Sequence, residues 1–233
     1  MKKILINTSI LLILVAALAS CKKDDYIHGG VIEDVNQYAN NTNYEVLAQD
    51  PMYDTLVQII DAAGLKDKIN ETGTTFFAPS DRSILTYMEL RTLFDQQNYD
   101  QDAQFGLDSL KYYLQNNIDN TRDSLLMYQI PTPLPYSSLT RTGVAYETGL
   151  AGDTVVVSYE PTGRNDVVST VPREVFFTQL WYHYDLSDAN PAADIPEEIG
   201  IRESVITSGI NTKSGIINYL NNFHTLFFYD TKQ

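Results

Sequence analysis

Cysteine is almost missing from this chain: 233 residues contain one, Cys21. A single thiol cannot build a disulfide framework within a domain. Histidine is scarce as well. None of His28, His183 and His224 stands near another His or a Cys at metal-ligand spacing, so a transition-metal site has nothing to build on. Basic residues are outnumbered, 16 Lys and Arg against 30 Asp and Glu, for a formal charge of −14. With so little positive charge there is no surface to neutralise phosphates, which sets nucleic acid and anionic lipid aside as partners. A phosphate-cradling loop is lacking too, because Gly149-Leu150-Ala151-Gly152 has no Lys-Ser/Thr end to grip phosphate and magnesium. No Gly-x-Ser-x-Gly elbow occurs either. Carboxylates abound, but a glycosidase needs two at a defined separation, and abundance does not supply that. The chain therefore reads as having no catalytic residues, no cofactor and no metal, with a hydrolase as the least favoured alternative.

The residues that are present describe a globular domain behind a targeting segment. Hydrophobic residues make up 43% and charged residues 20%, an ordinary balance for a folded chain of one sizeable domain. Lys2 and Lys3 precede an apolar run from Ile10 to Leu18, too short and too abruptly ended for a comfortable membrane span. Leu18-Ala19-Ser20-Cys21 resembles the lipobox of bacterial lipoproteins. That resemblance implies removal of residues 1–20 as a signal peptide and lipidation of Cys21, which would tie the protein to a membrane. Residues 21–43 are polar, with no periodicity, and read as a lipidated tether. Lys22-Lys23-Asp24-Asp25 sits at its head, and acidic residues there resemble the surface-export signal of Bacteroidetes lipoproteins. The implied location is the outer membrane, facing out of the cell; a periplasm-facing anchor is the alternative.

Structure is expected from Tyr44 to about residue 229. Asp50-Pro51 is a helix start, Leu56, Ile59, Ile60 and Ala63 lie on one helical face, and Gly64 is placed to end the helix. Thr74-Thr75-Phe76-Phe77-Ala78-Pro79 reads as a buried strand that stops at a proline, and Ser80 or Asp81 can cap the next helix. Further helices are expected over Leu85 to Phe94 and Phe105 to Ile118, with a polar loop from Gln96 to Gln104 between them. Thr75, Phe77, Ala78, Pro79, Ser80 and Asp81 together resemble the first signature box of the fasciclin domain family. Near the C-terminus two apolar runs flank Asn211 to Gly215, which resembles the family's second box. There Ser214 stands for an Asn before Gly215, Asn218 for a His and Asn221 for an Asp, so the shape is kept and the ionisable groups are gone. Tyr113 likewise takes the place of a family histidine. The resemblance implies a single α+β domain built as a wedge-shaped β-sandwich with packed helices, and an adhesion or ligand-binding role.

The stretch from 128 to 200 is longer than the family requires. Thr154 to Tyr159 and Glu174 to Tyr182 are the clearest strands, joined through turn chemistry at residues 161–166. Residues 183–200 form an acidic, proline-containing insertion, and long loops in compact domains often carry function. Tyr136, Trp181, Tyr182 and Tyr184 lie in or beside this region as candidate ligand-binding residues. Aromatic rings there can stack on sugar faces or anchor a partner protein. The reading is a surface-anchored, non-enzymatic adhesion or binding lipoprotein whose ligand is a glycan, matrix component or neighbouring protein. The alternative is an accessory subunit of an outer-membrane nutrient-import complex, docked on a transporter.

Overall fold

Thr42 and Glu45 form a reciprocal capping box. The Glu45 amide donates to Thr42 Oγ1 at 3.3 Å, and the Thr42 amide donates to Glu45 Oε2 at 2.8 Å. This starts α1 (Asn43–Leu47) in a computed structural model that describes residues 36–161 and 173–231. The folded unit spans Val35–Gln233. Order thus begins before Tyr44: Asn43 is fully buried, its Nδ2 donating to the Ile69 carbonyl at 3.0 Å, and the Lys213 amide donates to the Asn41 carbonyl at 2.7 Å. Residues 36–43 of the expected tether therefore belong to the domain.

The helical half follows the periodicity. Pro51–Tyr53 is a 3-10 turn capped by Asp50, and α2 (Asp54–Ala63) buries Leu56, Ile59, Ile60 and Ala63 before Gly64 turns left-handed. Each fully buried Leu or Ile contributes roughly 1.5–3 kcal/mol. A short α3 (Lys66–Ile69) leads to β1 (Thr74–Ala78), which is buried on both faces. Then α4 (Asp81–Asn98) runs longer at both ends than Leu85 to Phe94, absorbing part of the expected loop. Two local causes extend it. Ser80 caps it by accepting from the Ser83 amide, and no glycine or proline interrupts residues 81–98. Helices α5 (Leu107–Asn116) and α6 (Thr121–Ser124) complete this half. Among the described residues no helix is long and apolar enough to cross a membrane.

The strands are β2 (Gln129–Ile130), β3 (Val144–Glu147), β4 (Thr154–Pro161), β5 (Arg173–Leu180), β6 (Gly200–Asn211) and β7 (Gly215–Leu220), beside β1. The α+β class expected from the sequence is what the structure has. All seven strands are hydrogen-bonded into one mixed sheet in the order β2-β1-β7-β6-β5-β4-β3. Only β1 and β7 run parallel, from Thr74 opposite Gly215 to Ala78 opposite Tyr219. The two expected hairpins are there as antiparallel pairs, β4 with β5 and β6 with β7. The turn expected at residues 161–166 lies, beyond Pro161, outside the described residues.

Two features predict measurable losses. A Cβ on Gly215 would run into the Thr74 carbonyl oxygen and lie 2.9 Å from the Thr74 nitrogen, all of it backbone that cannot step aside. Gly215→Ala should cost about 3 kcal/mol or more, seen as a lower urea midpoint with an unchanged slope. Asp81 sits in the first turn of α4, yet its carboxylate accepts from the Thr55 amide at 2.9 Å and the Leu56 amide at 3.0 Å, the free N–H groups of α2. Tyr53, the residue before α2, provides no side-chain cap of its own. Asp81→Ala should therefore cost about 2 kcal/mol in the same titration, with Asp81→Asn recovering part of the loss.

Candidate functional site

Strand β5 alternates, with Val175 and Phe177 turned to the hydrophobic core, and the chain leaves the sheet after Leu180. The Trp181 and Tyr182 amides both donate to the Ile199 carbonyl, at 2.7 and 3.3 Å, so the corner is pinned by the far end of the acidic insertion. From this corner Trp181, Tyr182, His183 and Tyr184 line an open cavity of about 230 Å³, together with Ala145 and Thr154. Tyr182 is 68% exposed, and the His183 side chain is 86% exposed with its Nε2 2.9 Å from Asp185 Oδ1. Tyr184 is half-buried, with its hydroxyl 3.5 Å from the Asp194 carbonyl oxygen.

Trp181 is set from beneath. Its ring meets Phe228 edge to face, with centroids 5.9 Å apart and planes at 83°. Phe228 in turn stacks on Phe177 at 6.3 Å and meets the His224 ring at 4.5 Å. Phe227 and Phe228 have φ values of 62° and 53°, unusual for residues with a side chain, at a cost of about 1–3 kcal/mol each. The surroundings hold them there. The Phe227 amide donates to Tyr128 Oη at 2.7 Å, so the Tyr128 hydroxyl hydrogen goes to His224 Nε2, also 2.7 Å away. The imidazole hydrogen is then on Nδ1, facing Glu203 Oε1 at 3.6 Å. Hydroxyl, imidazole and carboxylate in a row resemble a proton relay, but Tyr128 is entirely buried, so here the row orders the C-terminal segment beneath Trp181.

Three of the four candidate aromatics share one cavity; Tyr136 does not. It lies in a separate groove of about 490 Å³ beside Pro135, Gly209 and Ile216, its ring 6.2 Å from Tyr159. A larger groove of about 800 Å³ follows α4 past Leu93 and Phe94 to Tyr229. The acidic insertion is largely exposed but pinned at Asp188 and Ala192. The Ala192 amide donates to the Thr142 carbonyl at 2.9 Å, Thr142 Oγ1 donates to Asp188 Oδ1 at 2.7 Å, and buried Ala192 closes on Gly143 beside Val156 and Ser158. Among the described residues no three His, Cys, Asp or Glu side chains gather as metal ligands would.

The residues of both boxes point inward. Thr75 Oγ1 donates to the Thr132 carbonyl and accepts from the Leu134 amide, both at 2.8 Å, stapling the proline-rich stretch to β1. Phe77 packs on Phe177 with centroids 4.6 Å apart, Ala78 is fully buried, and Pro79 ends the strand. Ser214 Oγ accepts from the Asn43 amide at 3.4 Å, and Asn218 Oδ1 accepts from the Gly209 amide at 2.8 Å across the irregularity in β6. Asn221 Oδ1 accepts from the Phe223 and His224 amides while its Nδ2 donates to Glu203 Oε2 at 2.7 Å. Cys21 precedes the described residues.

No family model matches the chain, and no curated protein matches it. Among solved structures it is similar to a FAS1 domain pair from the insect cell adhesion molecule fasciclin I, at 14% identity and a TM-score of 0.41. The likeness covers 79% of this chain and 46% of that one, so the chain spans about half the length of the structure it matches.

Burial pushes the Tyr128 and Tyr53 hydroxyls well above tyrosine's ordinary 10.0, and pushes Tyr87 up to about 12 despite Arg91 beside it. The folded state keeps these phenols protonated while the unfolded chain ionises them near 10.0. Their contribution to stability is therefore whole below that pH and is lost as pH rises past it. The buried tyrosines should appear in tyrosinate absorbance only together with loss of the circular dichroism signal. Complete ionisation with the fold intact would contradict this burial.

Proposed function

We propose that the protein is a lipid-anchored, surface-exposed binding protein of the adhesion type, fasciclin-like in fold, which holds its ligand at the Trp181–Tyr184 corner. The observation that carries the reading is the cavity there: a half-buried tryptophan held from below, two exposed side chains, and polar atoms on a concave rim. Both signature boxes resemble those of fasciclin domains, and an adhesion role follows from that resemblance. The lipobox-like tetrapeptide ending in Cys21 supports anchoring, and the acidic residues behind it support export to the cell surface. The Tyr128–His224–Glu203 row, buried at Tyr128 and His224, has a structural task, which favours binding over turnover at this corner.

The test is a pull-down of the native lipidated protein from outer membranes solubilised in a non-glycosidic detergent, followed by ligand capture on the purified chain. The expected result is a protein that emerges without a stoichiometric partner and retains an extracellular ligand. Trp181→Ala should weaken that capture about tenfold or more while leaving the fold intact. Stoichiometric recovery of a transporter, unaffected by Trp181→Ala, would replace this reading with that of an import-complex accessory.

A further inference from the structure

The chemistry lining the Trp181–Tyr184 corner narrows the class of ligand, an inference that rests on the reading above. The cavity, about 230 Å³, lies below the roughly 300–1,000 Å³ of sites for drug-sized ligands. A protein partner needs more surface than such a pocket offers, about 1,200 Å² in total for a standard interface. One sugar ring with its hydroxyls is of the right scale. The lining suits it: it contains the aromatic rings of Trp181 and Tyr182, of the kind that stacks on the apolar C–H face of a pyranose, and Thr154, His183 and Tyr184, whose side chains can hydrogen-bond hydroxyls.

Charge then separates sugar types. Among the described residues no lysine or arginine lines the cavity, so none of them is placed to pair with a carboxylate or sulfate. Asp185 is hydrogen-bonded to the lining residue His183 and highly exposed, on a chain of formal charge −14. An anionic sugar would meet repulsion without compensation. We propose that the corner takes an uncharged hexose or N-acetylhexosamine unit of a glycan, seated against Trp181 and Tyr182, and rejects uronate and sulfated sugars.

Trp181 is the sole tryptophan of the chain, so its emission reports this corner without background. The full chain in a non-glycosidic detergent is titrated with neutral oligosaccharides derived from mannan, cellulose, starch and chitin, and separately with polygalacturonate and heparin fragments. At least one neutral series should shift the emission saturably, with the acidic series binding at least tenfold more weakly. Tyr182→Ala, at an exposed position that leaves the fold intact, should weaken the neutral ligand about tenfold. Equal affinity for acidic fragments, or neutral binding indifferent to Tyr182→Ala, overturns the inference. Silence toward every saccharide also overturns it. In that case a captured protein that moves Trp181 emission leaves the binding corner standing with a different ligand, and no response to any captured ligand removes the corner itself.

Discussion

The parallel contact of β1 with β7 is the constraint on which the rest of the fold hangs. These strands come from opposite ends of the domain, and no local turn can bring them together. Their approach at Thr74 and Gly215 is so close that only a residue without a side chain fits. Around that point the chain ties its ends together: the Gly73 amide donates to the Ser214 carbonyl, Ser214 Oγ receives the Asn43 amide, and Asn43 reaches the Ile69 carbonyl. With β1 seated against β7, the Thr75 hydroxyl can hold the proline-rich stretch and Phe77 can meet Phe177. The α+β packing depends on one tight seam.

Asp81 gives the helical half its counterpart to that seam. One carboxylate at the head of α4 completes the N-terminus of α2, so the ends of two helices, separated by β1, are locked by charge-assisted hydrogen bonds. The approach is possible because Pro79 stops β1 abruptly and Ser80 already caps α4, which frees Asp81 to reach across.

Local and distant contacts differ in how far the residues alone reveal them. The α2 face, the buried strand, the proline stop and the C-terminal hairpin are legible because each depends on neighbours within a few positions. The cap role of Ser80 is legible for the same reason. That of Asp81 is only half so, since its partners lie on another helix. Polar residues 95–98 have the composition of a loop, yet the absence of a breaker lets α4 continue through them. Trp181, Tyr182 and Tyr184 stand out by composition, and they share a cavity because they lie close together at a strand end. Tyr136 carries the same compositional signal, but it sits in another groove, and nothing local distinguishes it. The Tyr128–His224 bond spans 96 positions and leaves no trace in spacing.

Asn218 and Asn221 fit the tasks of their positions here. Asn218 is needed as an acceptor for the Gly209 amide at the irregularity of β6, and Asn221 accepts two amides while donating to Glu203. An amide performs both tasks, and unlike histidine or aspartate it does so without titrating. Strand β7 and the residue just past it thereby carry no titrating group of their own at these two positions. That matters for the corner beyond it, because Asn221 sets the turn that carries His224 and, through Phe228, the bed of Trp181. Neutral residues at the second box thus keep the bed of Trp181 in one arrangement, while Tyr182 and His183 stay exposed.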